Sequence, residues 1–115
     1  MALDSNCIFC KIIEGEIPAD IVLRNENVVA FNDLNPQAPT HVLLIPTLHT
    51  ENVVGIARNS ATMTADLFLA ADQIAKERGL NGYRTVFNTG EAAGQSVFHA
   101  HLHLLGGRAM TWPPG

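Results

Sequence analysis

The stretch His99-Ala100-His101-Leu102-His103-Leu104-Leu105 alternates imidazoles with small or apolar side chains without a break. Successive side chains on a strand point to opposite faces, so this pattern predicts a strand. His99, His101 and His103 share one face; Ala100, Leu102 and Leu104 share the other. The apolar row turns to a core and sets the register, which holds the imidazole row out of that core. Neighbouring imidazoles on the row root about 6.5–7 Å apart, two residues of strand rise. Val97 opens the strand and Gly106-Gly107 closes it.

Working outward, Tyr83 to Asn88 reads as the strand before it, joined by a glycine-bearing loop, Gly90-Glu91-Ala92-Ala93-Gly94-Gln95-Ser96. Residues 60–78 carry apolar side chains at Met63, Leu67, Ala71, Ile74 and Ala75, with Phe68 beside them. That spacing predicts one long helix with a single buried stripe. Asn59 or Ser60 caps its start and Gly79 ends it. Upstream, His41-Val42-Leu43-Leu44-Ile45 is apolar on consecutive positions after its histidine and stops at Pro46. Such a run marks a strand buried on both faces. Residues 21–24 and 28–31 form a hairpin across Asn25-Glu26-Asn27, residues 32–39 form a proline-broken loop, and residues 7–15 form a short helix stopped at Gly15. The order is strand, strand, strand, long helix, strand, strand, which predicts an α+β fold with a mostly antiparallel sheet.

With 115 residues, the chain is expected to form a single domain over 1–115. Hydrophobic residues make up 47 % and charged residues 16 %, which excludes a disordered chain. Seven Lys and Arg face eleven Asp and Glu, a formal charge of -4, so the basic excess of a nucleic-acid binder is absent. A bound phosphate is therefore expected to be small and held by backbone and neutral donors. No run reaches the length of a membrane span and no leader pattern opens the chain, so a cytoplasmic protein without membrane association is expected.

Three chemistries suit the imidazole row. A solvated polar face is the plainest, but it does not account for His at three alternate positions. A catalytic metal could take two His at i and i+2, given a further ligand and a base; no acidic residue lies within the triplet. The third reading joins the row to Gly94-Gln95-Ser96 just before it. Glycines let a backbone wrap an anion, and a neutral imidazole is a nucleophile near pH 7. A nucleophile beside an anion cradle describes covalent transfer of a phosphoryl-type group.

Here the sequence resembles the histidine-triad (HIT) family, in its nucleotide-binding branch. The resemblance rests on residues 94–107 (GQSVFHAHLHLLGG) and the ending Trp112-Pro113-Pro114-Gly115. It extends upstream through Lys11-Ile12-Ile13, Glu16-Ile17-Pro18-Ala19, Ala30-Phe31-Asn32-Asp33 and residues 36–46, and so covers nearly the whole chain. It implies a five-stranded antiparallel sheet with one long helix and a short N-terminal helix, and a homodimer with a ten-stranded sheet. It implies hydrolysis of purine nucleoside phosphoramidates or aminoacyl adenylates to the nucleoside monophosphate. On the matching positions, His101 attacks the α-phosphorus, and His103, Gln95 and Ser96 hold the phosphate, with Ser96 near the leaving nitrogen. Gly94 belongs to the same cradle and Asn88 touches the phosphate side. Asp33 accepts from the ribose hydroxyls, Phe31, Leu34, Leu43, Ile8 and Phe9 line the base pocket, and His41 and His99 support the nucleophile by hydrogen bonds. A non-catalytic nucleotide-binding partner protein of the same fold, and a zinc hydrolase using the triplet, are the alternatives.

Cys7-x-x-Cys10 reads either as two small buried hydrophobes or as a redox pair. The resemblance adds a third reading, because some members of the wider family hold a structural zinc. The matching residues here are Cys7, Cys10, His49 in Pro46-Thr47-Leu48-His49, and His99, a set that fills a closed tetrahedral site. No cofactor is expected for the chemistry itself.

Overall fold

The computed structural model describes residues 3–115; Met1 and Ala2 of the N-terminal segment lie outside them. Five strands form one antiparallel sheet: β1 (Ile21–Arg24), β2 (Val28–Asn32), β3 (Thr40–Pro46), β4 (Tyr83–Phe87) and β5 (Leu102–Gly106), in the order β1-β2-β3-β5-β4. Three α-helices accompany it: α1 (Ile8–Glu14), α2 (Val53–Asn59) and α3 (Ala61–Glu77).

Both faces of the sheet are covered. On one, α3 lays Met63, Leu67, Ala70, Ala71 and Ile74 against Val28, Ala30, Val42, Leu44, Ala100, Leu102 and Leu104. On the other, α1 sets Phe9 and Ile12 against Val29, Phe31, Leu43 and Ile45. The consecutive apolar run of β3 follows directly: every one of its seven residues is buried. Ser60 caps α3, its Oγ accepting the Met63 N–H at 3.0 Å, and Gly79 leaves the helix at φ +67°.

Two expectations are corrected. The last strand was expected over 97–105 but runs Leu102–Gly106: β4 ends at Phe87 opposite Leu102, and the chain bends at 97–99 before it can continue the ladder with β3. Residues 97–99 bend and 100–101 follow outside the sheet, and the Ala100 N–H donates to the Thr50 carbonyl at 2.8 Å. The imidazole row keeps its common face, yet it is not held out of the interior. His99 is fully buried and His101 nearly so, because α1 roofs that side of the sheet. One element, α2, lies in a stretch for which no element was predicted. Its only local signal is Asn52, whose side chain accepts the Gly55 N–H at 3.2 Å, and Gly55 inside a seven-residue helix weakens any periodicity.

Candidate active site

Fixed backbone groups set the tautomers of the triplet. His101 Nδ1 lies 2.9 Å from the carbonyl of His99, which can only accept, so Nδ1 carries the proton. Its Nε2 is left with a lone pair and no partner among the described residues. Burial lowers the His101 pKa, so the ring stays neutral near pH 7. Phe9 stands edge-on to this ring, centroid to centroid 5.1 Å.

The second chain of bonds begins at Gln37, whose backbone N–H donates to His41 Nδ1 at 3.0 Å. That leaves the proton of neutral His41 on Nε2, 2.9 Å from His103 Nδ1. Asp33 Oδ2 lies 3.4 Å from the same Nε2, while Asp33 Oδ1 accepts the Asn35 N–H. His103 then carries its own proton on Nε2, a buried group with no partner among the described residues. A buried donor without an acceptor is costly and points to a ligand oxygen. Burial pushes the His103 pKa down to about 4 and lowers that of His41, where the Asp33 charge opposes the shift. The expected support of the nucleophile is thus divided: His99 reaches His101 through its carbonyl, whereas His41 reaches His103.

The residues expected to line the base pocket are brought together. Ile8, Phe9, Phe31, Leu34 and Leu43 line a largely apolar cleft of about 210 Å³, with Asp33 at its edge toward the imidazoles. Pockets for whole drug-sized ligands hold roughly 300–1,000 Å³, so this one suits a single ring system. Leu34 is fully exposed at the rim.

The loop before the triplet carries Gln95. Its side chain is buried under the loop, where Oε1 accepts the Gly90 N–H and Nε2 donates to the carbonyls of Glu51 and Val97. A buried amide must satisfy these groups, so this one braces the loop with its side chain. The N–H groups of Gly94 and Gln95 bond the carbonyls of Glu91 and Gly90. Those of Ser96 and Val97 have no partner among the described residues, so the free donors of this loop lie one to two residues beyond Gly94-Gln95. The Ser96 side chain is exposed and borders a cleft of about 530 Å³ with Cys7, Ile8 and His49. Asn88, half-buried past the end of β4, brings its amide nitrogen alongside Gly94.

Cys7, Cys10, His49 and His99 converge. Cys7 Sγ lies 3.5 Å from His99 Nδ1, and Cys10 Sγ lies 3.2 and 3.4 Å from the Nδ1 atoms of His49 and His99. The two Nδ1 atoms are 3.1 Å apart. Zinc bonds of about 2.0–2.3 Å at tetrahedral angles separate ligand atoms by roughly 3.3–3.8 Å, close to these values. His99 Nε2 donates to the Pro46 carbonyl at 2.9 Å, which leaves Nδ1 as a lone pair aimed into the cluster. Burial lowers the His99 pKa to about 4, and burial pushes the Cys10 thiol up to about 11. The imidazole is in its ligand form; the thiol needs a cation to become one. The donor set therefore fits a structural zinc. The triplet does not converge on one metal: His99 joins this cluster, His103 groups with His41 and Asp33, and His101 belongs to neither.

A family model of the HIT domain matches residues 14–110. The chain is 48 % identical to a 14 kDa zinc-binding protein of Zea mays, over 97 % of this chain and 90 % of that one. It is 43 % identical to the adenylylsulfatase HINT1 of Arabidopsis thaliana, over 97 % and 78 %. The crystal structure of a HIT family hydrolase from Legionella pneumophila superposes with a TM-score of 0.91 at 49 % identity, covering 96 % of this chain and all of that one.

Proposed function

The chain belongs to the HIT domain family, and from that premise we propose that it is a nucleotide-binding hydrolase working through a nucleotidyl intermediate on His101. Its substrates are purine nucleoside phosphoramidates or aminoacyl adenylates, and its product is the nucleoside monophosphate. The observation that carries this reading is the state of His101: a neutral ring with Nδ1–H anchored on the His99 carbonyl and an unpartnered Nε2 lone pair. Beside it, the unpartnered Nε2–H of His103 suits a phosphoryl oxygen.

The substrate lies along one line. The base enters the apolar cleft, Asp33 takes the ribose hydroxyls at its edge, and the α-phosphate sits between His103 and the Ser96–Val97 N–H groups. His101 Nε2 attacks phosphorus, and the bond to the leaving group breaks: an amine leaves as it takes a proton from solvent beside Ser96, a proton returned when water attacks in the second step, and a carboxylate leaves as the anion. Water then attacks the same phosphorus, the N–P bond breaks, and His101 returns neutral. The net result places the hydroxyl of water on phosphorus and its remaining hydrogen on the amine, or in solvent as a proton beside the carboxylate. One difficult displacement becomes two easier ones.

Zinc on Cys7, Cys10, His49 and His99 belongs to the same reading as a closed structural ion, with no position left for a reacting water. The zinc-binding maize relative supports it. A homodimer joined along β4 is the assembly we favour. Of the two sheet edges, β1 is short and irregular between Ile21 and Leu23, a feature that protects an edge, whereas β4 is regular. Exposed Tyr83 opens it, and exposed Phe68 and Trp112 flank it, Trp112 being 81 % exposed.

The test is turnover of adenosine 5′-phosphoramidate beside the guanosine version and a dinucleoside polyphosphate. Release of the monophosphate from a phosphoramidate supports the reading; folded protein that binds purine nucleotides and turns over none of them favours the non-catalytic alternative.

A further inference from the structure

We propose that the Cys7–Cys10–His49–His99 cluster sets the affinity for the nucleotide, by pinning α1 in place as a wall of the base cleft, while leaving the nucleophile's geometry to a separate anchor. This rests on the nucleotide site argued under Proposed function.

The first part follows from what holds α1. A helix of seven residues is not stable by itself and takes its position from its attachments. Cys7 is its N-cap, accepting the Cys10 N–H at 3.4 Å, and both thiols point at the imidazoles of His49 and His99. Those imidazoles belong to the segment after β3 and the segment before β5, so the cluster ties α1 to two distant parts of the chain. Away from the cluster the attachments are the apolar packing of Phe9 and Ile12, the edge-on contacts of Phe9 with the His99 and His101 rings, and one bond from exposed Arg24 to the Ile13 carbonyl. The same short helix presents Ile8, Phe9 and Ile12 to the cleft, with Phe9 edge-on to Phe31 at 5.7 Å. Without a cation, the cluster is reduced to weak bonds among thiols and imidazoles. Freedom gained by α1 then costs the cleft one side.

The second part follows from His99. Its ring is held twice, by Nδ1 in the cluster and by Nε2–H on the Pro46 carbonyl. The second bond joins it to the end of β3 and needs no metal. The carbonyl that orients His101 therefore keeps its place when the cluster opens. Metal loss should weaken binding of the nucleoside and spare the chemical step.

Binding linkage is reciprocal: if zinc raises nucleotide affinity by some factor, nucleotide raises zinc affinity by the same factor. The experiment uses the full-length zinc-loaded protein, with AMP as the probe and a chromophoric chelator as competitor for zinc. Saturating AMP should raise the apparent zinc affinity by about tenfold, within the usual range of coupling between two sites. Hydrogen exchange of residues 8–14 should speed up on stripping, and in protein still folded at low temperature KM should rise while kcat changes by less than about threefold. A zinc affinity indifferent to AMP overturns the proposal even if the stripped protein unfolds. So does a fall in kcat at constant KM, or protein that takes up no zinc. If AMP and GMP bind neither form, it is the nucleotide reading that fails.

Discussion

The carbonyl of His99 accepts the Nδ1–H of His101 at 2.9 Å, so two residues of one short segment carry out two separate tasks. The His99 backbone fixes the orientation and tautomer of its neighbour, while the His99 side chain faces the thiols. The single buried peptide group between the cluster and the His101 ring is a more rigid support than a third side chain, since it has no rotamers to lose.

His101→Ala should abolish turnover, with nucleotide affinity retained within a few-fold, because the base and ribose contacts lie on other residues. Intact-mass analysis of wild-type protein quenched during turnover should show a nucleotidyl adduct that the variant lacks. Full activity in the variant would exclude the intermediate.

The depressed pKa of His103 makes a signed prediction for stability. Its folded value is about 4 against an ordinary 6.5, so between those values the unfolded chain binds a proton that the folded one does not. The contribution is complete above pH 6.5 and is lost progressively as pH falls toward 4. His41 and His101 are shifted in the same direction. Urea midpoints should therefore drop from pH 7 to pH 5, and His103→Asn should flatten that slope; an equal slope in both proteins would contradict the assignment.

Gln95→Ala should cost about 1–3 kcal/mol, since it leaves the Gly90 N–H and the Glu51 and Val97 carbonyls without their partner. Chemical denaturation reads the loss. Turnover should fall as well, through a loosened loop.

Light scattering at micromolar concentration should return about twice 12.4 kDa. Removal of residues 111–115 should alter substrate preference if Trp112 reaches the partner's site. A monomer mass across the range would contradict the shared β4 edge.

Much of this was legible from residue pattern. Alternation in the 99–105 stretch placed Ala100, Leu102 and Leu104 in the α3 core, where they lie. The unbroken apolar run of β3 already required a cover on the second face, yet the histidines were expected on an open side. The two expectations conflicted, and β3 was the better guide, because burying Leu43 and Ile45 requires α1 to lie over the imidazoles too. The placement of the Gln95 side chain was not legible for a different reason: whether an amide turns under its loop or out of it depends on Glu51 and Gly90, which no local pattern connects to it. The cluster of Cys7, Cys10, His49 and His99 came from likeness to relatives, since their sequence separations by themselves say nothing of convergence.

β3 also has an implication for how this chain can change. Its odd-numbered residues His41, Leu43 and Ile45 face the imidazoles, and its even-numbered Val42 and Leu44 face α3; Leu43 pairs with His103 and Leu44 with Leu102. Inserting or deleting one residue there would exchange the two sets. His41 would be carried into a hydrocarbon layer with nothing to accept its proton, and the His103 Nδ1 would lose its donor in the same event. Substitutions along β3 can be absorbed one face at a time, but a change of length cannot.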